Sequence, residues 1–381
     1  MSTSRLVILD YADVSSDPSS KDLSSYLERA FGGSSSSNNG ISPLGIVAIR
    51  NIPGFVAAKN ALLPQGHTLA HLDESYLDKH LTDAASLYNA GWSRGKEKLG
   101  DKPDYAKASY YFNPLSDVPG TEEDRAKYPA SYPCNKWPNE DETDLQGFKD
   151  NAKNLGNIMH KTVVLLSRHI DNLAARKVKG YKQDLLYNAM KETEKAKGRL
   201  LYYYPLEESN DSDAQTKPFD NWIGWHNDSG FLTSLSGDLY VNATGKSLDK
   251  SEIDPAAGLY VTDRSGESIH VSIPEDCMAV QIGEVVQILT GGVVSATPHC
   301  VRGPSPNFNG VKVARISCPC FIDSKPIYPL VAPEGCSREQ VVNAGIGREK
   351  VPALEDRWTE DGMSFGDFLQ KTFERYYDWK G

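Results

Sequence analysis

The alternating start "RLVILDY" predicts a short strand, and "KDLSSYLERAF" (21–31) predicts a helix ending at Gly32-Gly33. "GGSSSSNNG" (32–40) reads as a flexible loop. "LGIVAIRNIPGF" (44–55) predicts a buried strand closed by Pro53-Gly54. Residues 60–100 are helical in composition, and 101–144, rich in Pro and aromatics, predict an extended segment crossing the surface. A clear helix follows: Met159, Val163, Leu166, Ile170 and Leu173 recur at steps of four, three, four and three, which makes one apolar stripe. After Gly198 the period changes to two. "RLLYYYP", "GFLTSL", "GLYVTD", "SIHVSIP", "CMAVQIG", "VVQILTGG" and "VARISCPCF" are short β-type runs punctuated by Gly, Pro, Asn and Asp. The stretch "SFGDFLQKTFERYYDWK" (364–380) predicts an amphipathic C-terminal helix capped by Ser364. The pattern predicts a β-rich α+β protein. A sandwich or barrel core over 198–323 follows a region of strands and helices (1–197) and precedes a helical extension (324–381).

Composition narrows the class. The 381 residues are 39% hydrophobic and 24% charged, a globular balance with room for a sizeable core. A net charge of −10 argues against nucleic acid or an anionic membrane as partner and leaves a small molecule. The start lacks a signal-peptide layout, and no run of about 18 apolar residues occurs. The six cysteines contain no CxxC pair and read as free thiols in a reducing compartment, most simply the cytoplasm.

"WHNDSGFLTSL" (225–235) carries the first candidate chemistry. On a strand, His226 and Asp228 face the same side. Such a pair is ordinary surface chemistry unless a third ligand joins it. Of the eight histidines only His270 and His299 lie downstream. His270 sits in an alternating run where it can face solvent, whereas His299 follows a glycine turn. Two histidines and a carboxylate on one face of an octahedral metal is the arrangement of non-haem Fe(II), with open adjacent positions. In "VARISCPCF", Arg315 and Ser317 share a face, and a buried guanidinium needs an anion, either a ligand or an internal Asp or Glu. His67 and His71 in "HTLAH" read as an exposed helix face, and His160 and His169 as solvated flanks of their helix.

"HNDSGFLTSL" resembles the H-x-D-x-G-x-L-T-x-L signature of the Fe(II)- and 2-oxoglutarate-dependent dioxygenases, in their isopenicillin N synthase-like branch. In order, "GLYV" (258–261), "VSIPEDCMAVQIGEVVQILTGG" (271–292), "SATPHCV" (295–301) and "RIS" (315–317) resemble the family's later strands. "RLLYYYP" (199–205) resembles its Arg-x-Asn-Tyr-Tyr-Pro strand, "NKWP" its Asn-x-Trp-Pro segment, and "VILDYADV" and "GIVAIRNIPG" its first strands. The resemblance implies a double-stranded β-helix (jelly roll) wrapped by N- and C-terminal helices. It implies Fe(II) on His226, Asp228 and His299, and 2-oxoglutarate held by Arg315 and Ser317. Counted back from Pro205, it implies Tyr204 and Tyr202 beside the same carboxylate, although core packing is the default for a tyrosine cluster. O₂ would be the second cosubstrate, the substrate a small molecule, and the enzyme a monomer. Trp222, Trp225, Phe231 and Phe321 are candidates for the pocket mouth. Isopenicillin N synthase shares the triad and the Arg-x-Ser pair without using 2-oxoglutarate. An oxidase of that type, or a non-catalytic binding protein on the same scaffold, therefore stays open.

Three departures stand out. Cys300 replaces the Arg that follows the second histidine in many relatives, and reads as a small buried hydrophobe. Residues 236–257 form a longer connection than the family pattern predicts, read as a solvent-facing loop rather than a lid. "GPSPNFNG" (303–310) lengthens another turn.

Overall fold

The alternating runs assemble into two sheets in a computed structural model that describes residues 6–33, 42–96, 98–99, 102–206, 222–306, 308–347 and 349–378. The strands are β1 (Val7–Asp10), β2 (Ile46–Arg50), β3 (Gly91–Arg94), β4 (Lys98–Leu99), β5 (Lys102–Pro103), β6 (Lys107–Phe112), β7 (Ala196–Tyr203), β8 (Ile223–His226), β9 (Leu232–Val241), β10 (Gly258–Thr262), β11 (Ser268–Val271), β12 (Met278–Ile282), β13 (His299–Arg302) and β14 (Ala314–Ile322). The helices are α1 (Tyr11–Ser15), α2 (Ser24–Phe31), α3 (Phe55–Leu62), α4 (Gln65–Ala70), α5 (Glu74–Tyr76), α6 (Glu122–Lys127), α7 (Phe148–Lys177), α8 (Leu185–Lys191), α9 (Glu284–Leu289), α10 (Arg338–Asn343) and α11 (Phe365–Asp378). An eight-stranded sheet runs β1-β2-β12-β9-β14-β7-β6-β3, a four-stranded sheet runs β11-β10-β13-β8, and β4 pairs with β5. The architecture is mixed α+β.

Side-chain alternation assigns each face of the large sheet its layer. In β12, Met278, Val280 and Ile282 join the core built with α7, while Ala279 packs with Leu259, Val261 and Val271 of the small sheet. The predicted stripe of α7 is buried throughout, Met159, Val163, Leu166 and Ile170 completely and Leu173 nearly so. Each such side chain stabilises the fold by about 1.5–3 kcal/mol. The C-terminal helix is capped as its sequence predicts: Ser364 Oγ accepts from Asp367 N at 3.1 Å and donates to Asp367 Oδ2 at 2.6 Å.

Several expectations are corrected. Residues 60–100 form short helices followed by β3 and β4, and the segment 101–144 contributes β6 to the large sheet. "VVQILTGG" folds as α9, followed by Gly291 and Gly292 at φ 65° and 81°. Every side chain from Glu284 to Leu289 is buried, so no polar face reveals the helical period, and a short apolar run reads equally well as a strand. His169 is buried with its Nε2 at 3.1 Å from the Val14 carbonyl, and His160 Nε2 lies 2.9 Å from the Met190 carbonyl, so neither is a solvated flank. His67 is half-buried, with Nδ1 at 3.2 Å from Tyr202 Oη. Cys300 is buried, as read, and of the loop expected at 32–40 all but Gly32 and Gly33 lies outside the described residues.

Candidate metal centre and its cavity

His226 ends β8, and His299 opens β13 directly opposite it in the antiparallel register. The two rings lie 4.2 Å apart between centroids. Asp228 stands just beyond β8, with Oδ1 at 3.9 Å from His226 Nε2 and 3.8 Å from His299 Nε2. One ligand atom from each of the three residues lies within 4.8 Å of the others. Both rings are oriented through the nitrogen that faces away. His226 Nδ1 donates to the Gly224 carbonyl at 2.9 Å and His299 Nδ1 to the Thr297 carbonyl at 3.1 Å. That leaves each Nε2 lone pair turned toward Asp228. Burial, with the neighbouring His299, pulls the His226 pKa down to about 4 against the opposing pull of Asp228. His226 is therefore neutral at physiological pH, the form that ligates. Asp228 Oδ2 is buried with no partner. A carboxylate with Oδ1 facing two oriented imidazoles and Oδ2 left without a partner fits a divalent metal, and the donor set suits iron.

The loop carrying these ligands is held from behind. The first amides of α9 reach it: Glu284 N donates to the Asp228 carbonyl at 2.8 Å and Val285 N to the Gly230 carbonyl at 3.1 Å. On its other side the loop packs against Asp323: a Cβ at Gly230 would sit 2.1 Å from Asp323 Oδ1, the acceptor for Phe231 N. Asn227, between the two ligands, donates its backbone N–H to Tyr376 Oη at 3.0 Å and its side-chain amide to Glu284 Oε1 at 3.0 Å. Glu284 in turn takes both arms of Arg357, at 2.5 and 2.6 Å, fully out of solvent. Sequence reading missed Asn227, Glu284, Arg357 and Tyr376, since only the chain fold joins them.

The triad opens into a cavity of about 1210 Å³ lined by both sheets, in which Arg315 and Ser317 also stand. Arg315 is buried, with its guanidinium 4.7 Å over the Tyr203 ring and Nη2 at 2.6 Å from Asp238 Oδ1. Burial works against its charge, but Asp238, Tyr203 and Tyr240 outweigh that and raise its pKa. Its Nε and Nη1 are buried without partners. Both readings of this arginine thus have a physical counterpart: an internal carboxylate is present, and unused donors remain.

The tyrosine assignment is corrected. In the β14–β7 register Arg315 faces Tyr203 and Ser317 faces Leu201, and both Tyr203 and Leu201 line the cavity. Tyr202 and Tyr204 point to the opposite face. There Tyr202 Oη meets His67, while Tyr204 Oη donates to the Ala70 carbonyl at 3.3 Å under Arg94. Counting from Arg199 instead of Pro205 gives the observed phase, and a one-residue slip reverses every side chain on a strand.

Of the mouth candidates, Phe321 lines the cavity. Trp225 lies under Lys350, whose Nζ is 4.2 Å from the ring centroid, and Phe231 is core, edge-on to Tyr328 and Phe365. Trp222 is buried with Leu201, Tyr203 and Val301. The 236–257 connection is not a purely solvent-facing loop. It extends β9, packs Gly245 against His67, and lines the cavity from Ser247 to Ala257. Asp254 fastens it to the other long turn, accepting from Ser305 N at 2.9 Å and Ser305 Oγ at 2.8 Å. Gln281, a further cavity residue, is buried with neither amide atom partnered.

No protein-family model and no curated protein matches the chain. Solved structures match it over nearly its whole length. A Caulobacter crescentus protein proposed to belong to the 2OG-Fe(II) oxygenase family aligns with TM-score 0.62 and 19% identity, covering 98% of this chain and 100% of that one. A full-length Neurospora crassa protein, solved in complex with alpha-KG and 5-formyluracil, aligns with TM-score 0.61 and 17% identity, covering 97% and 98%. JOX2, in complex with 2OG, Fe and JA, aligns with TM-score 0.60 and 16% identity, covering 96% and 84%. What this chain shares with these proteins is the fold, and the isopenicillin N synthase-like branch is not singled out among them. No helix among the described residues is long and apolar enough to cross a membrane.

Proposed function

We propose that the chain is a monomeric Fe(II)- and 2-oxoglutarate-dependent oxygenase that hydroxylates a C–H bond of a small molecule. A jelly-roll unit at 198–323 forms its catalytic core. One observation carries the reading. The Asp228 carboxylate, with Oδ1 facing two oriented histidines and Oδ2 left without a partner, shares a cavity with a buried arginine that still has unused donors. The matching structures that hold alpha-KG, or 2OG with Fe, support it.

His226, Asp228 and His299 would hold the iron. When bound, Fe(II) would couple the decarboxylation of 2-oxoglutarate to succinate and CO₂ with oxidation of the substrate by O₂. The protein's own part is positioning and exclusion of water. The Gly224 and Thr297 carbonyls keep the imidazoles in the ligating tautomer, and α9 holds the Asp228 backbone. Arg315 and Ser317 would receive the distal carboxylate, with Tyr203 flanking it, and Phe321 with the 247–257 wall would bound the substrate space.

The test is anaerobic addition of Fe(II) and 2-oxoglutarate, which should give a weak visible charge-transfer band, followed by succinate release on admitting O₂. His226→Ala and Asp228→Ala should abolish both signals. Unchanged turnover in either variant would sink the triad assignment. Metal binding without any response to 2-oxoglutarate would favour an oxidase that places its substrate carboxylate on Arg315.

A further inference from the structure

We propose that Asp238 is a resident counter-ion in the cavity, competing with the incoming ligand for Arg315 and setting the affinity of that end. The inference rests on the oxygenase reading above and adds a residue that the sequence motif does not contain.

The geometry is direct. Asp238 lies on β9, opposite Ser317 in the β14–β9 register, two residue pairs from Arg315–Tyr240 and on the same face of the sheet. Its carboxylate therefore stands beside both residues that would receive a distal carboxylate. It contacts Nη2, the nitrogen common to both bidentate edges of a guanidinium. With Nη2 taken, Nε and Nη1 are left without partners. An incoming carboxylate must share the guanidinium or push Asp238 aside. The second course is sterically open, because the Asp238 side chain keeps 25% exposure while Arg315 keeps 7%.

Charge reinforces the point. Arg315 and Asp238 together present no net charge to a dianion. Lys59, a second buried cation on the cavity wall, donates to the Glu275 carbonyl and has Glu275 and Asp276 nearby. The anion end thus holds a carboxylate less tightly than a lone buried arginine would, and it discriminates less between a carboxylate and a neutral amide at the ligand's distal end.

The experiment measures binding of 2-oxoglutarate and of its distal amide, 2-oxoglutaramate, to Mn(II)-loaded protein without O₂. Asp238→Asn keeps the size and the Oδ1 acceptor while removing the charge. It should tighten 2-oxoglutarate about tenfold and change the amide less than about threefold, with Mn(II) affinity unchanged. Asp238→Ser should act in the same direction. Equal or weaker 2-oxoglutarate binding by a folded variant overturns the competition alone. Absence of 2-oxoglutarate binding in wild type and variant alike, with Mn(II) bound, overturns the oxygenase reading beneath it. Should neither variant fold, wild type decides: the amide should bind within about tenfold of 2-oxoglutarate, and a gap of about a hundredfold or more overturns the proposal.

Discussion

The two ends of the cavity are built on opposite principles. At the metal end the chain supplies three donors and leaves a carboxylate oxygen bare, with the loop fixed by Asn227, Glu284, Arg357 and Tyr376. At the anion end it supplies a cation and then a partner for it, Asp238. The first end is pinned by these hydrogen bonds and, on the proposed reading, is completed by a metal. The second is already half-satisfied. A site that must hold a resident ion gains from preorganised, unspent ligands, whereas a site that exchanges its occupant each turnover gains from a counter-charge that keeps affinity moderate.

The largest way to break the contrast is to loosen the pinned end. Arg357→Leu strands Glu284 as a buried unpaired charge, since Arg357 has no exposed surface and Glu284 almost none. A loss of about 3–5 kcal/mol is expected, read by denaturant unfolding. Metal affinity should fall while the affinity of the metal-loaded fraction for 2-oxoglutarate holds. Equal weakening at both ends would show that they are not independent.

The next effect is protonic. Because the His226 pKa is about 4 in the fold against 6.5 ordinarily, the unfolded chain binds the extra proton first as pH falls. The contribution is fully present above pH 6.5 and is lost as pH drops toward 4. Stability of metal-free protein against pH, compared with His226→Asn, checks the sign. A ring titrating near its ordinary value by NMR would contradict it.

The smallest effect lies elsewhere on the cavity wall. Gln281→Leu replaces an unpartnered buried amide with an apolar group of similar size and should raise stability by about 1–3 kcal/mol. If the amide serves a ligand, the same change weakens ligand binding while the melting temperature rises. A rise with no change in binding would make Gln281 a spectator.

How far the sequence reaches depends on how local the signal is. The strand start at Leu232–Leu235, the stripe of α7 and the Ser364 cap are written in neighbouring residues and fold as read, whereas the continuation of β9 to Val241 falls in the stretch read as a loop. His226 and Asp228 are legible as two ligand-type residues two apart, although Asp228 stands beyond the end of β8 and not on the strand, and His299 because the order of motifs restricts the choice. The tyrosines failed on phase: three in a row carry no alternation, and only pairing with β14 shows that Tyr203 faces Arg315. Helix α9 failed because full burial erased its polar face.

The sequence by itself therefore determined the kinds of ligand and the type of those elements whose polar face survives in the pattern, since periodicity and residue chemistry are properties of short stretches. Tertiary structure alone decided which side chains meet. Asp238 reaches Arg315 through strand register, and Tyr376 reaches Asn227 across the packed core. Register and packing are set by the whole buried surface, and no short stretch of chain contains that information.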